Sequence, residues 1–265
     1  MFEQGWIDYE ARWNRGQLGP ERKFEQPMWD GSSLEGKTIF LHAEQGLGDT
    51  FQFVRYAKVA KDRGAQKVIV ASQSPLTTIL SLCPYIDQVI ALKDRPWPET
   101  DYHAPLASLP YICKTTIDTV PAEIPYLYAD ELLISYWKEY LTKDNNFKIG
   151  IVWNGINNYN TAQLRAIVAQ KSISLSQFKP LADCPGVSLY SLQKETGMEQ
   201  LQKGSYDFDL HLFPQDFDGV HGRFMDTAAI IKNLDFIITV DTGTAHLAAA
   251  LGVPVWVLLQ QPSDW

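Results

Sequence analysis

The chain has little cysteine. Only Cys83, Cys113 and Cys184 occur among 265 residues. They are far apart, odd in number and never in CxxC spacing, which excludes a zinc knuckle and a disulfide framework. Buried free thiols in a reducing compartment are the expectation. Clusters of lysine and arginine are also missing, and the net charge is −8. That excludes broad binding to a nucleic-acid backbone. It leaves room for a single anionic nucleotide, because helix ends and one or two cations are enough to hold one. No apolar run approaches the ~18 residues of a membrane-spanning helix, and the N-terminus is polar and aromatic. Neither a transmembrane segment nor a signal peptide is predicted, so a cytoplasmic location is the default. The five histidines show no HxH or HExxH spacing, so no protein-bound metal is expected. GxGxxG and Walker patterns are absent as well, so no dinucleotide cofactor is expected.

The rest of the composition is ordinary and globular, 45% hydrophobic and 20% charged. Residues 1–30 stand apart. Phe2, Trp6, Tyr9 and Trp13 recur at helical spacing in Met1–Arg15, and an irregular proline-bearing stretch follows. This helix has no partner within its own segment. It either packs on the body or closes an array of helices upstream.

From residue 37 strands and helices alternate. The pattern predicts strands at Lys37–Ala43, Lys67–Ala71 and Gln88–Leu92. Helices are predicted at Thr50–Arg63, Pro75–Leu82 and Leu132–Leu141, with a polar linker at Thr142–Phe147. The alternation then restarts. Strands are predicted at Lys148–Trp153, Val187–Leu192, Phe236–Val240 and Val253–Leu259. Helices fall at Ser174–Ala182, Met225–Asn233 and Gly243–Leu251. Such alternation implies parallel sheets with right-handed crossovers. Two runs imply an α/β protein of two Rossmann-like domains facing across a cleft, residues 31–145 and 146–265, preceded by a short N-terminal helix. The second run ends just after a strand, where a covering helix is expected, so residues 146–265 read as a truncated domain.

Four segments lie where α/β proteins bind ligands, at the carboxyl ends of strands. In Gln45-Gly46-Leu47-Gly48-Asp49 the glycines permit a tight turn, and Asp49 falls at or next to a helix N-cap. It is either that cap or a general base aimed into the cleft. Asn154-Gly155 is a plain turn or a contact to phosphate or sugar. In Ser191-Leu192-Gln193-Lys194-Glu195 a side chain at the strand end is placed to hydrogen-bond the ribose or base of a nucleotide, or the charges form a solvated loop pair. In Asp241-Thr242-Gly243-Thr244-Ala245-His246 a strand runs into a helix start. Orphan N–H groups and the helix dipole favour an anion there, and Gly243 lets it approach the backbone. His246 alone reads as a core histidine, but beside Asp241 it reads better as a phosphate contact.

Taken in order, His42–Thr50, Gly150-Ile151-Val152-Trp153, Ser191–Glu195 and Val240–Ala248 resemble bacterial glycosyltransferases that follow tetratricopeptide repeats. These are relatives of glycosyltransferase family 9, the lipopolysaccharide heptosyltransferases. Phe2–Trp13 looks like the tail of a last repeat. The resemblance implies a GT-B fold with the donor nucleotide-sugar on the C-terminal domain. It implies inverting transfer to a hydroxyl of a glycan or protein acceptor, without protein-bound metal or cofactor, in the cytoplasm or peripherally at the inner membrane. It places Asp49 as catalytic base, with Gln45, Gly46 and Gly48 on the acceptor side. Asp241, Thr242, Gly243, Thr244 and His246 fall around the donor diphosphate and sugar, with Asn154 beside them and Glu195 at the ribose. Lys171 or Arg165 is the phosphate-neutralising cation. Relatives carry a basic, proline-bearing stretch near residues 165–175, whereas this chain reads Gln170-Lys171-Ser172-Ile173-Ser174. Two other readings fit the same motifs: a non-catalytic nucleotide- or glycan-binding module, and a nucleotide-sugar epimerase.

Overall fold

The computed structural model describes residues 2–15, 24–155, 170–202 and 204–260. It divides into two units, Met1–Tyr128 and Ala129–Trp265.

The first unit holds a four-stranded, wholly parallel sheet. Its strands are β1 (Thr38–His42), β2 (Lys67–Ser72), β3 (Gln88–Ala91) and β4 (Tyr102–Pro105), in the order β3-β2-β1-β4. β1 and β2 are buried over nearly their whole length, as expected for apolar strands covered on both faces. The long helix predicted at Thr50–Arg63 is two helices, Leu47–Phe53 and Tyr56–Asp62, parted at Val54 and Arg55. Helical periodicity survives so small an offset, so the break is invisible in the sequence.

The second unit holds a five-stranded parallel sheet. β5 (Phe147–Val152), β6 (Val187–Ser191), β7 (His211–Leu212), β8 (Phe236–Val240) and β9 (Val255–Leu258) lie in the order β7-β6-β5-β8-β9. One face buries Ile149, Ile151, Trp153, Leu175, Phe178, Leu189 and Ile238 together. Gly150 in β5 is closely packed, with the ends of three apolar side chains over it. A Cβ there would lie 2.8 Å from the side chains of Ile237, Leu192 and Leu234. β7 escaped the sequence reading because two residues carry no period.

Several expectations need correction. The unit boundary is at 128/129, not 145/146. The Glu131–Leu141 helix belongs to the second unit, where Trp137 donates to Asp226 at 2.9 Å and Asn233 donates to the Ile134 carbonyl at 2.9 Å. The described residues of 1–30 pack on the first unit, one of the two placements expected for the N-terminal helix. The Trp6 indole is buried and donates to the Thr115 carbonyl at 2.8 Å, and Trp29 is buried, its backbone N–H donating to the His103 carbonyl at 2.8 Å. The helix covers Phe2–Glu10 and tightens to a 3-10 turn at Ala11–Arg15. All three cysteines are free, but only Cys83 is buried, and Cys184 is exposed.

A stacked aromatic layer covers one face of the first sheet. The Phe24 ring lies 3.9 Å from His103 and 5.2 Å from Trp97. His42 Nε2 is 3.3 Å from His103 Nδ1, so one imidazole donates and the other accepts. Burial lowers His103 from 6.5 to about 4. In the unfolded chain this ring takes a proton below pH 6.5, whereas in the folded chain it does so only near 4. Its contribution to stability is therefore intact above 6.5 and is lost as the pH falls toward 4. The ring is half-buried, and solvent screening reduces the effect to roughly 1–2 kcal/mol. His103→Phe should flatten the acid limb of a thermal-denaturation profile. An unchanged limb would show that other groups set it.

Candidate functional site: the carboxyl edges of the two sheets

In the second unit β6, β5 and β8 are neighbours and parallel, so the loops after Ser191, Val152 and Val240 emerge on one edge. These loops carry Glu195, Asn154 and Asp241–His246.

β8 ends at Val240. Thr242 is the extended N-cap residue of the Gly243–Ala250 helix, and its hydroxyl lies 3.1 Å from that of Thr239. The helix forms here because Ala245, Ala248 and Ala250 are small enough to bury against the sheet. Its first N–H groups have no intrahelical acceptor, so the positive end of its dipole opens at Gly243 and Thr244. His246 lies one turn further along, partly exposed. Asp241, just before the helix, would repel an incoming anion. Lys171 offsets that charge, with Nζ 2.6 Å from Asp241 Oδ2 and both side chains largely buried. Lys171 is held in place through its own segment, where the Ile173 N–H donates to the Trp153 carbonyl at 2.9 Å. Arg165, the alternative cation, lies outside the described residues.

One residue of the Ser191–Glu195 stretch organises the middle of this edge, a role the sequence did not assign to it. Gln193 is 4% exposed. Its Oε1 accepts the N–H groups of Trp153 and Asn154, both at 2.9 Å. Its Nε2 donates to the carbonyls of Asn154 at 3.0 Å and Thr196 at 2.7 Å. One amide thus staples the loop after β5 to the loop after β6. Gly197 completes the junction. It has φ +94°, and a Cβ there would lie 2.7 Å from that of Asn154. The Asn154 side chain accepts from Gln200 at 3.3 Å. A buried amide between two glycine-bearing turns has no periodic signature. The signals in the sequence were its polarity directly after an apolar strand and its place in the Ser191–Glu195 stretch.

Glu195 adopts φ +58° and pairs with Arg223 at 2.9 Å, not with its neighbour Lys194. Lys194 instead lies 3.4 Å above the Phe217 ring and donates to the Phe217 carbonyl. Burial lowers its pKa, and the nearby carboxylates of Asp218 and Asp226 oppose that shift.

The first unit carries the other group of predicted residues. Gly46 is the N-cap of the Leu47–Phe53 helix, so Asp49 stands one turn in, at N3. Its Oδ2 accepts the Gly46 N–H at 2.8 Å. This is the carboxylate half of a capping box, while the N-cap, being glycine, has no side chain to complete it. The turn is tied from β2's end by Gln73, which donates to the Gln45 carbonyl at 2.6 Å and accepts from Thr50 at 2.9 Å. Gln45 itself donates to the Tyr9 hydroxyl at 2.8 Å.

The predicted residues therefore fall into two sets. Asn154, Lys171, Glu195, Asp241, Thr242, Gly243, Thr244 and His246 share the edge of the second sheet. Gln45, Gly46, Gly48 and Asp49 sit at the end of β1.

The two parallel-sheet units make an α/β fold that matches GT-B heptosyltransferase structures. The fold resembles that of a family 9 glycosyl transferase from Veillonella parvula, with a TM-score of 0.66 at 14% identity over 88% of this chain and 82% of that one. It also resembles the E. coli ADP-heptose lipopolysaccharide heptosyltransferase II, with a TM-score of 0.53 at 13% identity over 83% of this chain and 84% of that one. The sequence profile of Glycosyltransferase family 9 (heptosyltransferase) matches residues 222–260, which include β8, the helix start at Gly243 and β9. Among curated proteins, FlbA of Caulobacter vibrioides is 23% identical over 99% of this chain. The chain spans about half the length of that relative, 46%. Among the described residues no helix is long and apolar enough to cross a membrane.

Proposed function

We propose that the protein transfers a sugar, with inversion, from a nucleoside-diphosphate donor to a hydroxyl of a glycan or protein acceptor. The Asp241–His246 corner carries this reading. A helix dipole, a glycine at the point of approach and a lysine already seated against Asp241 together suit a diphosphate. The profile match over the same residues supports it. In this reading Asp49 takes the acceptor hydroxyl's proton as that oxygen attacks the anomeric carbon. The diphosphate leaves from the opposite face, its charge met by the amides of Gly243 and Thr244, by His246 and by Lys171. Glu195 and Asn154 face ribose or sugar. Heptose is the nearest precedent for the donor.

One observation favours a second reading, a nucleotide- or glycan-binding module without catalysis. The Asp49 carboxylate already has a structural task in closing the Gly46 turn.

A thermal-shift panel of ADP, UDP, GDP and their sugars tests the corner. A specific ligand at a hundred times its dissociation constant should add about 2.7 kcal/mol. Lys171→Met should weaken that ligand by roughly tenfold or more, the scale of one charged hydrogen bond. A panel with no shift, or an indifferent Lys171→Met protein, would overturn the assignment. Sugar release to an acceptor, absent from a protein that binds nucleotide, would separate the two readings.

A further inference from the structure

The turn that carries Asp49 is held by residues far away in sequence. The guanidinium of Arg12 forks onto Glu44, with Nη2 to Oε1 at 2.8 Å and Nε to Oε2 at 3.4 Å. The same group donates to Ser108 Oγ at 2.6 Å and to Glu10 Oε1 at 2.6 Å. Ser108 returns a bond to Glu10 Oε2 at 2.9 Å. Arg12 is 9% exposed and the Glu44 side chain 2%. One turn earlier, Tyr9 receives the Gln45 amide at 2.8 Å. Glu44 and Gln45 are the two residues directly before Gly46, whose N–H is bound by Asp49. An unbroken series of contacts therefore runs from the Phe2–Glu10 helix and the Ala11–Arg15 turn to the proposed base.

We propose that these N-terminal elements are a brace for the Gly46–Asp49 turn, with Arg12 and Tyr9 as positioning residues for the Asp49 carboxylate. The catalytic part of this inference rests on the reading of Asp49 as base, whereas the bracing part does not. A planar fork onto a buried carboxylate is directional in a way that an apolar contact is not, so it fixes the path of residues 44–46 as well as their burial. The Tyr9 hydroxyl lies close enough to feel Asp49. Burial raises its pKa first, and the charges of Asp49 and Glu44 add to that, against Gln45 and Arg12. A general base works only within hydrogen-bond reach of its proton, and small misplacements are costly in rate. Loosening the brace should therefore slow the chemical step while leaving the donor contacts of the second unit alone.

The test compares the full chain with its Tyr9→Phe, Arg12→Lys and Arg12→Gln variants. Hydrogen exchange of the 46–50 amides should quicken in the order Tyr9→Phe, Arg12→Lys, Arg12→Gln, by about tenfold or more in the last. The 240–247 amides should keep the wild-type rate. With a donor sugar identified, kcat should fall in the same order while the donor KM holds. Unchanged exchange at 46–50 in a folded Arg12 variant would overturn the brace. Should Arg12→Gln fail to fold, unchanged exchange in both milder variants would overturn it equally. Faster exchange with wild-type kcat would overturn the positioning of Asp49. Faster exchange in a protein that transfers no sugar would leave the brace standing and remove the transferase reading instead.

Discussion

Arg12→Leu is expected to lower the stability of the first unit by about 3 kcal/mol, the scale seen when one member of a buried ion pair is removed. The guanidinium serves Glu10, Glu44 and Ser108 at once, and the Glu44 side chain is 2% exposed. The substitution keeps the volume of an apolar stem but takes the charge from beside a desolvated carboxylate. The double change Arg12→Leu with Glu44→Leu removes both charges and should recover much of the loss, because two apolar groups have no comparable desolvation penalty. Urea denaturation of the three proteins measures this directly. A single variant within about 0.5 kcal/mol of wild type would place the pair among surface bridges of little worth.

Asp49→Asn is expected to lose sugar transfer by about a hundredfold or more while keeping nucleotide binding. The change is well controlled structurally. The asparagine oxygen can still accept the Gly46 N–H that Oδ2 now binds at 2.8 Å, so the capping interaction and the turn persist. Only the ability to accept a proton is lost. The nucleotide contacts proposed above belong to the other unit, so the thermal shift given by a nucleoside diphosphate should match wild type. Asp49→Ala would confound the two roles by removing the cap as well. Full transfer activity in the asparagine variant would leave Asp49 as a turn-closing residue and nothing more.

The alternation of apolar strands and amphipathic helices is a local property, and it was legible. Phe236–Val240 is a strand over the residues predicted, and the Gly243 helix starts where the small residues begin. The same periodicity placed the glycine turns at strand ends, so the candidate residues fall at the carboxyl edges of parallel sheets. Local patterns did not show that the helix after β1 begins before Asp49 and breaks at Val54. Gly46 is as good a start as Asp49, and the choice depends on which N–H the carboxylate reaches. They also misassigned the Glu131–Leu141 helix, whose pattern is amphipathic whichever unit it packs on. Its place is set by Trp137, which donates to Asp226.

The α/β class, the parallel direction implied by strand–helix alternation and the positions where loops leave strands are legible in the residue pattern alone. Each follows from backbone geometry and from residue types near one another in the chain. Tertiary structure alone decided the pairing of functional side chains: Lys171 with Asp241, Glu195 with Arg223, Gln193 with the Trp153–Asn154 amides, and Arg12 with Glu44. Those partners lie far apart in the chain, and charge or polarity in a sequence does not state its partner. The fold brings them together, and where the group is buried, as for Gln193 and Arg12, the cost of an unmatched polar group holds the pairing.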